Sequence, residues 1–117
     1  KETKKEIRKA ANSTGERIVE FPFWEEYADY MKSDIADLKN LGPTDAGSIT
    51  AGKFLEHFTD YPWMHFDIAG PASLATPYNH TGKWATAYGV RLLFKFVQNK
   101  CKDVNNKSKN KSRNNAG

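Results

Sequence analysis

The most constraining feature of this sequence is the short apolar stretch WMHFDIA at residues 63–69, which lies between Pro62 and Gly70. The stretch is too short for a stable helix, and its nearly continuous apolar character is typical of a strand covered on both faces. Such a strand needs hydrogen-bonded neighbours on each side. The sequence therefore predicts a sheet covered by helices, with more strands than one segment can supply.

Apolar residues recur at helical spacing in several other segments, and β-branched residues alternate with polar ones elsewhere. This pattern predicts an α/β fold. We expect helices near residues 3–11, 23–31, 48–59 and 89–100, and strands at 17–21, from 33 and at 63–69. Gly52 inside the third helix costs about 1 kcal/mol relative to alanine, so its presence indicates a close contact at that turn. Three strands alone would leave open sheet edges, which predicts that the chain is a fragment of a larger sheet.

The basic charge is confined to the end of the chain. Residues 99–117 carry six Lys/Arg and one Asp, whereas the rest of the 117 residues carries twelve Lys/Arg and thirteen Asp/Glu. The end segment has one Val and otherwise mostly Asn, Lys and Ser, so it cannot bury enough apolar surface to offset the entropy of ordering. We predict a disordered basic tail at 99–117 after one domain at 1–98. The chain opens on a charged helical pattern without a methionine, and we expect it to continue upstream.

The cysteine content and hydropathy favour the cytoplasm. Cys101 is the single cysteine, so no internal disulfide forms, as is usual in a reducing compartment. No apolar run approaches the about 20 residues that cross a bilayer, and we expect no membrane partner.

His65 and Asp67 are the first candidates for a chemical site, because residues two apart on a strand point to the same face. A metal site needs three or more converging ligands. We therefore favour a structural role, with His65 bonded to the backbone and Asp67 holding loop amides, over a metal site. Lys53 follows two glycines, but the spacing is not that of a phosphate-binding loop. The tail could bind nucleic acid through counterion release, although a solvated end needs no partner.

Four blocks carry a family resemblance in order and spacing: GERIVEFPFWEEYADYMKSDIADLKN, AGSITAGKFLEHF, PWMHFDIAG and GVRLLFKFV. Together they resemble the C-terminal part of the leucine aminopeptidase (cytosol aminopeptidase) family over about residues 6–97. The resemblance implies an α/β fold that is the C-terminal fragment of a mixed sheet flanked by helices. It also implies a homohexameric, metal-dependent enzyme that removes N-terminal residues from peptides with two divalent metal ions, zinc, manganese or magnesium.

The resemblance also implies which functional residues this chain contains. The family's metal ligands and catalytic residues lie in upstream motifs that do not occur in this sequence, so we expect no catalytic and no metal-binding residue here and no activity of the chain alone. The chain would supply oligomer contacts and substrate-pocket wall. Ala69 and Ala72 match the pocket for the substrate's N-terminal side chain, and Leu41 matches the leaving-side pocket. For Ala69, a role in packing alone remains an equal alternative.

One segment departs from the family pattern. Before the last helix the family has Gly-Ala-Thr-Gly, whereas this chain has Trp84 and Ala87 at the glycine positions. Two alternatives to the enzyme fragment stay open: a non-catalytic binding module that uses the basic tail for nucleic acid, and a degenerate non-catalytic paralogue.

Overall fold

The computed structural model describes residues 2–79 and 81–114, and for residues 107–114 it describes the backbone alone. The elements in chain order are α1 (Glu2–Thr14), a 3₁₀ helix (Glu25–Met31), α2 (Gly47–Glu56), β1 (Ser73–Leu74), β2 (Trp84–Ala85) and α3 (Val90–Asn114). The two strands form one antiparallel sheet. Helices with a small sheet confirm the α/β class. In the described part of the chain, no helix is both long and apolar enough to cross a membrane.

The chain divides into two compact units, one formed by the residues up to Ile18 with those from Ile68 onward, and one formed by Val19–Asp67. In the first unit α1 packs against α3. Its core consists of the buried side chains of Ile7, Ala11 and Leu92, with Ile18 and Phe96 against them. Helix α1 continues to Thr14, about three residues past the predicted end at 11, and Gly15 follows with φ of 71°.

In the second unit α2 packs against the 3₁₀ helix. Met31, Ile49 and Thr50 are its buried uncharged side chains, apart from glycine. The close contact expected at Gly52 is confirmed: a Cβ atom there would lie 2.7 Å from Cε2 of Phe23 and 3.4 Å from Cδ2 of His65. Glycine is therefore present because α2 approaches these two rings closely, and this contact outweighs its low helix propensity.

The three predicted strands are wrong as secondary structure. Residues 17–21 and 62–68 are irregular, and residues 34–38 form bends. The hydroxyl of Ser33 accepts hydrogen bonds from the N–H groups of Ile35 and Ala36, at 3.3 and 3.2 Å, which turns the chain locally. A strand exists only where a neighbour pairs with it, and within the described ranges no other strand lies beside these segments.

The last helix is longer than its sequence pattern predicts. It continues past residue 100 to Asn114, so the backbone is helical over most of the segment for which the composition predicts disorder. Extending an existing helix avoids the cost of nucleation, and lysine is a good helix former. Residues 115–117 of the predicted tail lie outside the described residues, and the domain boundary at 98 stays a prediction.

Candidate functional site

The predicted pocket residues Ala69 and Ala72 lie in one tight turn, directly after the apolar stretch. The N–H of Ala72 donates to the carbonyl oxygen of Ile68 at 2.9 Å, which closes the turn. Ala69 is exposed and Ala72 is half-buried. The structure thus brings these two methyl side chains together on a short, hydrogen-bonded segment.

The β1–β2 hairpin holds this turn in place. The N–H of Thr86 donates to the carbonyl oxygen of Ala72 at 3.0 Å, and the Thr86 hydroxyl donates to the carbonyl oxygen of Pro71 at 2.5 Å. In the strand register Ser73 lies opposite Ala85 and Leu74 lies opposite Trp84. The segment that departs from the family pattern is therefore the segment that supports the predicted pocket turn.

Trp84 and Ala87 both have left-handed backbone conformations, with φ of 76° and 56°. Glycine adopts this region freely, whereas a residue with a Cβ atom pays about 1–2 kcal/mol. The two positions at which the family pattern has glycine are thus positions where the backbone favours glycine. In this chain two L-residues adopt these left-handed conformations, at a cost in strain.

The first turn of α3 is held by a buried carboxylate. Glu16 is 6% exposed, and its Oε2 accepts the N–H of Leu92 at 2.9 Å while Arg91 Nε lies 3.4 Å from Oε1. The Tyr88 hydroxyl donates to the carbonyl oxygen of Arg17 beside it. A carboxylate at a helix N-terminus satisfies a free N–H and complements the helix dipole. No local sequence pattern links residues 16 and 92, so this role of Glu16 could not be predicted from the sequence.

The third predicted pocket residue, Leu41, belongs to the second unit. Its side chain is 81% exposed. Gly42 follows it at a close contact, where a Cβ atom would lie 2.8 Å from the Thr50 hydroxyl oxygen. The backbone beside Leu41 therefore passes close to α2, and a larger residue than glycine at 42 would displace it.

Within the described ranges, His65 and Asp67 belong to no group of three or more potential metal ligands. Among the described residues, no group of three or more His, Cys, Asp or Glu side chains is placed to hold a metal ion. Nε2 of His65 is buried with no hydrogen-bond partner in the described ranges. The ring lies 6.2 Å from that of Trp63, between centroids. The observed role of His65 is therefore packing. His80 lies outside the described residues.

Lys53 is a buried cation whose ion pairs were not predicted from the sequence. Its side chain is 3% exposed, and Nζ lies 2.9 Å from Oε2 of both Glu25 and Glu56 and 4.4 Å from the centroid of the Phe23 ring. Burial alone lowers the pKa of Lys53, but the hydrogen bonds to Glu56 and Glu25 outweigh it, and the pKa is raised above 10.5. This network joins α2 to the start of the 3₁₀ helix.

Comparison with known proteins identifies the family. A family model of the cytosol aminopeptidase catalytic domain matches residues 1–94. The chain belongs to the cytosol aminopeptidase family. The chain is 48% identical over 95 residues to a probable cytosol aminopeptidase of Geobacter sulfurreducens, and 47% identical over 93 residues to one of Nostoc punctiforme. In both cases the match covers 79% of this chain and 19% of the relative.

A solved structure gives the same result for this cytosol aminopeptidase family member. A tomato leucine aminopeptidase carrying one substitution matches with a TM-score of 0.71 and 38% identity, over 82% of this chain and 18% of that chain. The present chain thus spans about a fifth of the length of the relatives it matches. The turn at Ala69 and the hairpin that supports it belong to the matched residues 1–94.

Proposed function

We propose that this chain is the C-terminal part of the catalytic domain of a metal-dependent leucine aminopeptidase, a cytoplasmic hydrolase that removes N-terminal residues from peptides. The observation that carries the proposal is the family match over residues 1–94. The names of the relatives support the reaction class, since they are cytosol and leucine aminopeptidases.

In this proposal the chain supplies substrate-pocket wall. The turn that presents Ala69 and Ala72 is closed by the hydrogen bond from Ala72 to Ile68 and is tied to Thr86. Two methyl side chains leave volume for a bulky apolar group, and each CH₂ that a substrate buries contributes about 0.8 kcal/mol. Leu41, with its 81% exposed side chain, would contact the leaving part of the peptide.

The chemistry belongs to the remainder of the protein. The family resemblance implies metal ligands in upstream motifs that do not occur in this sequence, so we assign the two divalent metal ions, zinc, manganese or magnesium, to upstream polypeptide. In that position they would polarise the scissile carbonyl and activate water. The chain's own share is to position the substrate's N-terminal side chain.

The remaining partners of the chain are the upstream polypeptide and other copies in a homohexamer. Large apolar side chains of the second unit are exposed in this chain, including Ile35 at 97% and Val19 at 75%. Apolar surface of this extent is typical of regions that other polypeptide covers. We infer that the rest of the catalytic domain and neighbouring subunits cover it.

The experiment compares the complete protein with this chain of 117 residues. Hydrolysis of leucinamide is followed with added Mn²⁺ and after chelation. We expect metal-dependent turnover by the complete protein and none by the chain alone. Metal-dependent turnover by the chain alone, or its absence from the complete protein, would contradict the proposal.

A further inference from the structure

Trp84 combines a strained backbone with an exposed aromatic ring. Its φ of 76° lies in the left-handed region, and its side chain is 66% exposed. A strained conformation persists only where the surrounding structure imposes it, and such residues cluster at ligand sites. Within the described residues, burial of the ring does not offset the strain. A contact with a ligand would give this arrangement a function.

The hairpin register places Trp84 next to the predicted pocket turn. Thr86, which follows β2, is bonded to Ala72, and Trp84 is the first residue of β2 and lies opposite Leu74. Extending the register by one pair puts Trp84 and Ala72 at diagonal positions across the hairpin, which in regular paired strands are about 7–8 Å apart. An indole ring reaches this far, so it can contact a group bound beside the methyl of Ala72.

The surroundings of the ring favour an apolar or aromatic ligand. Nζ of Lys83 lies 4.8 Å from the centroid of the Trp84 ring, which is the geometry of a cation–π contact. This contact occupies one face of the indole and restrains its orientation. The other face and the edge are available for an apolar contact, and aromatic pairs gain energy beyond the area they bury.

We propose that Trp84 is a specificity-determining residue, which packs against the side chain of the substrate's N-terminal residue and favours bulky apolar and aromatic residues there. The inference rests on the proposed function, because it takes Ala72 as pocket wall. It goes beyond that function, since the family pattern has glycine at position 84 and therefore no side chain to make this contact.

The experiment uses the complete protein and three substrates: phenylalaninamide, leucinamide and glycinamide. Trp84→Ala and Trp84→Gly remove the ring, whereas Trp84→Phe keeps an aromatic ring. For Trp84→Ala and Trp84→Gly we expect kcat/KM on phenylalaninamide to fall by about threefold to tenfold, with glycinamide turnover nearly unchanged. Trp84→Phe should keep most of the preference.

The substrate selectivity of the Trp84→Gly variant separates this role from a structural one. Trp84→Gly relieves the backbone strain. If Trp84 affected activity only through stability, the glycine variant would therefore prefer phenylalaninamide over glycinamide at least as strongly as the wild type does. Tyr78→Ala is the matched control, because Tyr78 is a 68% exposed aromatic residue between β1 and β2 that is not paired with β1. We expect it to leave the phenylalaninamide to glycinamide ratio unchanged.

The outcomes distinguish the two proposals. If the complete protein turns over leucinamide and the Trp84 variants keep the wild-type substrate ratios, the specificity role is wrong and the proposed function stands. If the ratios fall equally in Tyr78→Ala, the effect is not particular to Trp84 and the role is also wrong. If the complete wild-type protein hydrolyses none of the three amides, the proposed function fails, and the role of Trp84 fails with it.

Discussion

Replacing Ala87 with glycine should stabilise the protein, although the change removes a methyl group. Ala87 has φ of 56°, a conformation that costs an L-residue about 1–2 kcal/mol and costs glycine almost nothing. Glycine also makes the unfolded chain more flexible, which offsets about 0.4–1 kcal/mol of this gain. The expected net effect is an increase of about 0–1.6 kcal/mol, centred near about 0.8 kcal/mol, in the free energy of unfolding.

The matched control lies two residues away in the same hairpin. Ala85 belongs to β2 and is not among the residues with positive φ. Glycine in a strand is destabilising by about 0.5–1 kcal/mol relative to alanine. The same Ala→Gly substitution should therefore lower the free energy of unfolding at position 85 and raise it at position 87, because the backbone conformations differ.

The measurement is urea unfolding of the complete protein carrying either substitution, with the midpoint compared at an unchanged m-value. We expect Ala87→Gly to raise the midpoint and Ala85→Gly to lower it. Midpoints that move in the same direction for both variants would refute the reasoning, since position 87 would then carry no strain that glycine relieves.

Three further predictions concern the buried contacts. Glu16→Ala leaves the N–H of Leu92 without its partner, and we expect the free energy of unfolding, measured in urea, to fall by about 1–3 kcal/mol. Glu16→Gln keeps an acceptor oxygen and should cost less; equal losses in the two variants would contradict the capping role. Gly52→Ala should destabilise the wild type but stabilise a Phe23→Ala variant, because the added Cβ meets Phe23 Cε2 at 2.7 Å. If Gly52→Ala changed the free energy of unfolding in the same direction in both backgrounds, the clash with Phe23 would be refuted. Because the pKa of Lys53 is raised, its protonated form stabilises the fold at low pH, and this contribution is lost as the pH rises beyond 10.5 through the raised pKa. Lys53→Met should flatten that alkaline loss in unfolding midpoints measured below and above pH 10.5, and parallel profiles would contradict the network.

The sequence by itself determined the α/β class, the approximate positions of the helices and the family, but not the length of the last helix. Helices depend on local spacing, so the presence of α1 and the close contact at Gly52 could be predicted from residues near them. The four matching blocks were likewise sufficient for the family, which the match over residues 1–94 confirms. The resemblance also implied pocket roles for Ala69 and Ala72, whereas the hydrogen bond that closes their turn is seen only in the structure.

The tertiary structure decided what depends on distant residues. The stretch at 63–69 has the composition of a strand, but a strand requires hydrogen bonds to a neighbour that no local pattern supplies. Glu16 caps a helix that begins 74 positions later, at Val90, and Lys53 is neutralised by Glu25 from another element. The strain at Trp84 also became visible only with the backbone path, because the hairpin imposes a left-handed conformation that the residue itself disfavours.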